Sequence, residues 1–172
     1  MLDGGGEHLY FCGLPETYEN LIFYLCSRIM TIQETQAAIA RDFADFTDWE
    51  DKYAHIIALG RKLAPFPEEH RTDDNKVRGC QSQVWLHVEL HDDTLIFYGD
   101  ADAAIVKGLV SLALEVYSGR TPKEILQTEP DFMKKIGLDT HLSPTRTNGF
   151  ASMIKKIKMY ALGFSIKQEQ KQ

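Results

Sequence analysis

The stretch Val77-Arg78-Gly79-Cys80-Gln81-Ser82-Gln83-Val84-Trp85 joins a polar loop, residues 68–76, to an alternating segment. That segment places Val84, Leu86, Val88 and Leu90 on one face and Trp85, His87, Glu89 and His91 on the other. A period of two, rich in β-branched and aromatic residues, predicts a strand with one buried face. Cys80 therefore lies where a loop enters a sheet, beside a glycine that can adopt backbone angles closed to other residues. Its thiol is either reactive or a small buried apolar group, and spacing alone does not distinguish the two.

The segments before this loop predict two helices. A capping box, Thr31 with Glu34, begins the first helix, and a second box, Thr47 with Glu50, begins the next. Pro65 lies beyond the second apolar stripe and ends that helix, because proline lacks the N–H that a helix requires.

The segments after Cys80 predict a hairpin followed by a buried helix. Asp92-Asp93 forms a tight turn between the first strand and a second strand, Thr94 to Tyr98. Asp100 is then expected to cap a helix that runs to about Ser118 and is apolar nearly all round, which is typical of a core helix. Three further helices follow, the last from about Gly149. We therefore predict an α+β fold in which a small antiparallel sheet packs against helices.

Composition indicates one domain of ordinary globular character. The chain has 172 residues, 44% of them hydrophobic and 26% charged, with a net charge of −6. An acidic chain is a poor partner for nucleic acid or an anionic membrane surface, and no apolar run approaches the roughly 20 residues of a membrane span. Three cysteines at irregular spacing do not form a disulfide framework, so a cytoplasmic location is expected.

Composition also sets the expected boundaries. Residues 1–29 lack sustained periodicity, and a helix signal follows Met30 at once. We expect 1–29 to be an N-terminal extension that is non-native or disordered, with Met30 as the native start. Residues 30–164 are expected to form the domain and residues 165–172 a polar, frayed tail.

Three segments carry a family resemblance. Gly79-Cys80-Gln81-Ser82-Gln83-Val84-Trp85 is followed by Gly99-Asp100-Ala101-Asp102-Ala103-Ala104-Ile105-Val106-Lys107-Gly108 and then by His141-Leu142-Ser143-Pro144-Thr145-Arg146-Thr147-Asn148-Gly149. In order and spacing they resemble the SufE/CsdE family of sulfur-acceptor proteins, from about Met30 to about Leu162. The resemblance implies a SufE/NifU-like α+β fold.

The resemblance also implies a function. Cys80 would take persulfide sulfur from a pyridoxal-phosphate (PLP) cysteine desulfurase of the SufS/CsdA type, stimulate that enzyme, and relay the sulfur to an Fe–S scaffold or other acceptor. Such a chain is a sulfurtransferase-like carrier rather than a stand-alone enzyme, with no cofactor of its own. The sequence leaves open which desulfurase and acceptor are used, and whether the chain forms a homodimer.

The expected site residues are Cys80 as the catalytic thiol and Arg146, Gln81, Ser82 and Gly79 in support. Arg146 matches the family's signature arginine and is expected to stabilise a thiolate or persulfide, although an arginine that ties down a loop is an equal alternative. Gln81 and Ser82 are expected to supply hydrogen bonds, and Gly79 to act as a hinge.

The residue types present also bear on two other functions and on a metal site. A non-catalytic Fe–S scaffold or adaptor normally needs several cysteine or histidine ligands, and residues 30–162 contain one cysteine. A stand-alone thiol enzyme would need a resolving cysteine or a Cys–His–Asn pattern. His87 and His91 are about 13 Å apart along a strand, too far to share a zinc ion, so no metal site is expected.

Overall fold

The computed structural model describes residues 30–170, and the expectations about residues 1–29 and the last two residues lie outside this range. The elements in chain order are α1 (Ile32–Ala44), α2 (Trp49–Arg61), a 3₁₀ helix (Glu68–His70), β1 (Val84–His91), β2 (Thr94–Ala101), α3 (Ala104–Tyr117), α4 (Pro122–Gln127), α5 (Phe132–Lys135), α6 (Leu138–His141) and α7 (Pro144–Glu169). The two strands form one antiparallel sheet within the described residues. The predicted α+β fold is confirmed.

Local capping signals explain where the first helices begin. The Thr31 hydroxyl accepts from the Glu34 N–H at 3.2 Å, and the Glu34 carboxylate accepts from the Thr31 N–H at 2.7 Å. That capping box is confirmed. The second box was placed one residue early, because Asp48 rather than Thr47 caps α2 and accepts from the Asp51 N–H at 2.9 Å.

The hairpin is longer than the sequence pattern indicated. β2 pairs with β1 from Thr94 opposite His91 to Ala101 opposite Val84. Asp100 is therefore a strand residue and does not cap the next helix, whose N-cap is Ala103 without a side-chain hydrogen bond. Its carboxylate lies 2.9 Å from the Arg71 guanidinium and 2.7 Å from Lys107 Nζ, and these two cations explain its place in the sheet.

The buried core lies between the hairpin, α3 and the helices around them. As predicted, α3 is apolar on most sides; its buried residues are Gly108, Leu109, Val110, Leu112, Ala113, Leu114, Val116 and Tyr117. All of these except Gly108 form one cluster with Val84 and Leu86 of β1 and with Phe150, Met153 and Ile157 of α7. This core fixes β1 relative to α7, the two elements that flank Cys80.

The outer face of the hairpin is not uniformly open to solvent. Trp85 is only 8% exposed, although its face was expected to be polar. The segment before β1 covers it, with the Arg71 guanidinium 4.7 Å from the Trp85 ring and 5.3 Å from the Phe66 ring. On the opposite face of β1, Leu90 is 41% exposed, so the predicted buried stripe does not extend to the hairpin turn.

Helix α7 differs most from expectation. It begins at Pro144 rather than near Gly149, because the Ser143 hydroxyl caps it by accepting from the Arg146 N–H. It continues to Glu169, so the described part of the tail expected from Ser165 is helical rather than frayed. None of the helices within residues 30–170 has the length and apolar character that a membrane-spanning helix requires.

Candidate functional site

Cys80 lies in a short loop closed at its base by main-chain bonds. The Val77 N–H donates to the Val84 carbonyl at 2.8 Å, and the Leu86 N–H donates to the Asn75 carbonyl at 2.9 Å. Residues before the loop thus run antiparallel to the start of β1, with an isolated bridge between Lys76 and Trp85. We call residues 78–83, which this base closes off, the Cys80 loop.

Helix α7 forms the surface on which the Cys80 loop rests. The Cys80 thiol donates to the Gly149 carbonyl at an Sγ···O distance of 3.3 Å. A Cβ atom added at Gly149 would lie 3.2 Å from the sulfur, so any larger residue would press on it. The absent side chain at Gly149 gives the half-buried thiol its place, and we call this contact the cradle.

Gly79 brings the loop down onto the same helix. Its φ of +89° lies in the left-handed region, which favours glycine. A Cβ atom here would lie 3.0 Å from the Ser152 hydroxyl, which is bonded to the Asn148 carbonyl at 2.9 Å. The structure therefore explains why glycine precedes the cysteine, whereas its proposed role as a hinge stays a prediction.

The cradle favours the protonated sulfur. Burial raises the pKa of the Cys80 thiol above its ordinary value, because a thiolate loses hydration when it is half-buried. The hydrogen-bond partner of the sulfur within residues 30–170 is a carbonyl oxygen, which accepts from a thiol but repels a thiolate. Burial and this carbonyl partner therefore both favour the neutral thiol over the thiolate.

The other predicted site residues lie at different distances from the sulfur. Gln81 is exposed and Ser82 is half-buried, and neither side chain forms a hydrogen bond to the sulfur in the described part of the chain. Arg146 is exposed on the first turn of α7, three residues before Gly149. Residues three apart on a helix lie about 5–6 Å apart at their Cβ atoms, so the Arg146 side chain starts close to the cradle.

Arg146 also lines an open groove of about 440 Å³ together with Tyr53, Ile57, Ala104 and Ile105. The groove joins the first turn of α7 to α2 and the start of α3. Four apolar or aromatic residues and one exposed cation thus line a single groove beside the first turn of α7.

Two residues that the sequence did not identify anchor the start of the loop. The Lys156 Nζ donates to the main-chain carbonyls of Asp74 and Lys76, at 2.6 and 2.8 Å. The Tyr160 hydroxyl lies 3.1 Å from the Leu86 carbonyl. Their spacing of four residues places both on one face of α7, but nothing local indicates which carbonyls that face meets.

Known proteins resemble this chain over most of its length. Residues 37–161 match the SufE family, described as an Fe-S metabolism associated domain. An uncharacterized SufE-like protein of Rhizobium meliloti is 47% identical over 130 residues, covering 73% of this chain and 93% of the relative. An uncharacterized SufE-like protein of Synechocystis is 38% identical over 138 residues, covering 80% of this chain and 87% of the relative.

A solved structure is similar in fold. The solution structure of a hypothetical protein from Thermus thermophilus aligns with a TM-score of 0.62, covering 78% of this chain and 97% of that protein. At 18% identity, this likeness supports the fold alone.

Proposed function

Because this chain belongs to the SufE family, whose domain is associated with Fe–S metabolism, we propose that Cys80 is a sulfur acceptor for a PLP-dependent cysteine desulfurase. In this proposal the chain stimulates the desulfurase by removing its persulfide sulfur. It then relays the sulfur to a scaffold or another acceptor in Fe–S cluster assembly.

The transfer needs no oxidant and no cofactor on this chain. The Cys80 sulfur attacks the terminal sulfur of the desulfurase persulfide, a new S–S bond forms, and the S–S bond of the donor breaks. The donor cysteine leaves as a thiolate and takes the proton that Cys80 loses. The products are a Cys80 persulfide and a free desulfurase thiol, and attack by an acceptor thiolate repeats the exchange and restores Cys80.

The cradle is the observation that carries the proposal. An acceptor thiol that is shielded until the desulfurase docks does not react with other electrophiles, and the half-buried Cys80 thiol, bonded to the Gly149 carbonyl at 3.3 Å, is shielded in this way. A structural cysteine would need no glycine beneath it, because any packed side chain could fill the same space. Here the glycine leaves the sulfur adjacent to a main-chain oxygen.

The same contact explains why docking must move the loop. A persulfide extends about 2 Å beyond Sγ and is anionic, so the Gly149 carbonyl would repel it in the closed position. The Cys80 loop is closed at its base by Val77 and Val84, and Lys156 fixes the residues before it. We therefore propose that residues 78–83 swing away from α7 as a unit while the base stays in place.

Arg146 is proposed to assist after the loop opens. Its exposed side chain begins about one helical turn before Gly149, and the fixed fork of N–H donors on a guanidinium can stabilise an anionic sulfur released from the cradle. Gln81 and Ser82 are proposed to hydrogen-bond to the sulfur in the same open state.

The function is tested by desulfurase turnover. A cysteine desulfurase from the same cell is incubated with cysteine and a thiol reductant, and alanine formation is measured with and without this chain. Wild-type protein should raise the rate, whereas Cys80→Ser, checked for an unchanged melting temperature, should leave it at the level of the desulfurase alone. Cys12→Ser and Cys26→Ser are matched controls and should stimulate like wild type.

Two results would count against the proposal. Undiminished stimulation by Cys80→Ser would show that the chain acts without accepting sulfur, as expected of a non-catalytic adaptor. Loss of stimulation in Cys12→Ser or Cys26→Ser alone would move the acceptor outside the domain.

A further inference from the structure

On the outer face of the hairpin, a histidine from the segment before the Cys80 loop lies beside a histidine and a glutamate of β1. His87 and Glu89 lie two residues apart on β1 and therefore share a face. His70 reaches the same place from the 3₁₀ helix that precedes the Cys80 loop. The metal-binding nitrogen and oxygen atoms of these three residues all lie within 4.8 Å of one another.

The backbone holds His70 in this position. Its carbonyl accepts from the Asn75 side-chain amide at 2.8 Å, and its N–H donates to the Pro67 carbonyl at 3.0 Å. The His70 ring stacks on the His87 ring, with centroids 3.5 Å apart and planes 13° apart. The two imidazoles are therefore brought together by the fold and not by a chance rotamer of one exposed side chain.

The donor types of the cluster suit a cation. His70 and His87 can each offer one ring nitrogen, and Glu89 can offer a carboxylate oxygen. The cluster thus offers two nitrogen ligands and one carboxylate.

A second layer of residues positions the carboxylate. Glu89 Oε2 lies 3.2 Å from His91 Nε2 and 3.4 Å from the Tyr98 hydroxyl. Glu89 Oε1 lies 3.5 Å from His87 Nε2, on the side of the histidine pair. Hydrogen bonds to the far oxygen of a ligating carboxylate are typical supports of metal sites.

Two nearby cations are paired with a different carboxylate. Arg71 and Lys107 pair with Asp100, at 2.9 and 2.7 Å. Glu89 is left to histidine and tyrosine partners, which a metal ion can displace or use.

We propose that His70, His87 and Glu89 bind one divalent transition-metal ion, of which Zn²⁺ fits best. Zinc accepts imidazole and carboxylate ligands at about 2 Å, tolerates three protein ligands with a fourth position open, and imposes little geometric preference. Ligands around tetrahedral zinc lie about 3.3 Å apart, so one imidazole must rotate out of the stack for both nitrogens to meet the ion. Binding would join the 3₁₀ helix to β1 and is independent of sulfur transfer at Cys80.

Zinc titration of an untagged, full-length, cysteine-free protein tests the site. Cys12→Ser, Cys26→Ser and Cys80→Ser together remove thiolates that would otherwise bind zinc. Isothermal titration with ZnCl₂ is carried out at about pH 7.5, because imidazole must be neutral to bind a metal ion. It should show one ion per chain with a Kd of about 10 μM or tighter. His87→Gln and Glu89→Gln should each weaken binding at least about tenfold, whereas His141→Gln, at an exposed histidine stacked on Trp49, should not.

Two further readouts keep the test decisive. Melting curves without metal establish that each variant is folded. If His87→Gln does not fold, Glu89→Gln alone tests the site, because the Glu89 side chain is 40% exposed and its replacement should leave the fold intact. Co²⁺ in place of zinc should give the visible absorption of a tetrahedral site, and this absorption should be lost in Glu89→Gln. Absence of binding up to about 100 μM ZnCl₂, or equal binding by wild type, His87→Gln and Glu89→Gln, would overturn the proposal.

Discussion

Two close contacts at glycine residues look alike in this molecule, but they differ in what opposes the glycine. Where α2 crosses α3, a Cβ atom on Gly108 would lie 2.2 Å from the Ile56 carbonyl oxygen, and one on Gly60 would lie 2.6 Å from the Gly108 nitrogen. At the cradle, a Cβ atom on Gly149 would lie 3.2 Å from the Cys80 sulfur. The first contact opposes backbone to backbone, whereas the second opposes backbone to a side chain on a short loop.

The difference shows which part of the chain is free to respond. Two packed helices cannot separate at Gly108 without disturbing the core that both help to form. The Cys80 loop can yield at Gly149, because its own anchors lie at its base and before it. Substitutions at the helix crossing should therefore change stability, and substitutions at the cradle should change the chemistry of the thiol.

The largest expected effect is that of Gly108→Ala. Overpacking of this kind costs about 3 kcal/mol, which lowers the melting temperature by about 6–12 °C in a chain of this size. Thermal unfolding followed by circular dichroism measures it. Gly163→Ala is the matched control, because Gly163 is also helical but has nothing within 4 Å of an added Cβ atom, so alanine should raise stability by about 0.5 kcal/mol.

A Gly108→Ala protein as stable as wild type would contradict the comparison, since the two glycine contacts would then be equally tolerant.

Gly149→Ala should have the opposite profile, with little change in stability and a more reactive thiol. The added methyl displaces the sulfur from the Gly149 carbonyl and into water, which lowers the pKa of Cys80 towards that of an ordinary thiol. A shift of one pKa unit changes the thiolate fraction tenfold, so alkylation by iodoacetamide at pH 7 should be about three- to tenfold faster.

The pH dependence of the free energy of unfolding also reports the raised pKa of Cys80. The folded state raises the pKa of Cys80, so it favours the neutral thiol. The stabilisation from the cradle should be complete below the pKa of an unfolded thiol, about 8.5, and should decline as the pH rises through the folded pKa. In Gly149→Ala that alkaline decline should shrink.

Slower alkylation in Gly149→Ala would show that the cradle activates the thiol rather than protecting it.

Arg146→Met should give the smallest effect. An exposed cation contributes about 0.2–1 kcal/mol to a nearby anion, so alkylation of Cys80 at pH 7 should slow by about 1.4- to fivefold, with a smaller difference at pH 10, where a larger fraction of the thiol is ionised. Lys155→Met, at an exposed cation further along α7, should alkylate at the wild-type rate at both pH values. An arginine that only ties down the loop would behave differently, since its loss should speed alkylation at both pH values and lower the melting temperature.

Local signals in the sequence account for most of the fold. The alternation from Val84 onwards, the turn at Asp92 and the capping box at Thr31 each lie within a few residues, and the structure contains all three. Asp100 was misassigned because an acidic residue before an apolar helix resembles a cap. Its actual partners, Arg71 and Lys107, are brought to it by the folded chain.

Long-range contacts explain what the sequence could not supply at the site. Cys80 was identified from its motif, but the Gly149 carbonyl lies 69 residues further along the chain. The start of α7 at Pro144 has a local signal, because Ser143 can cap a helix and proline is favoured at the first helical position. The expected start near Gly149 did not take this signal into account. The stacking of His70 on His87 had none, because it depends on how the segment before the Cys80 loop folds over the hairpin.

The location of the transferred sulfur tests the central claim most directly. The full-length chain is incubated with its cysteine desulfurase and cysteine, freed of small thiols, digested without reductant and analysed by peptide mass spectrometry. We predict an addition of about 32 Da, one sulfur atom, on the peptide that contains Cys80, and its removal by dithiothreitol. Sulfur on Cys12 or Cys26 with Cys80 unmodified, or no added sulfur while the desulfurase turns over, would contradict the assignment of Cys80 as the acceptor.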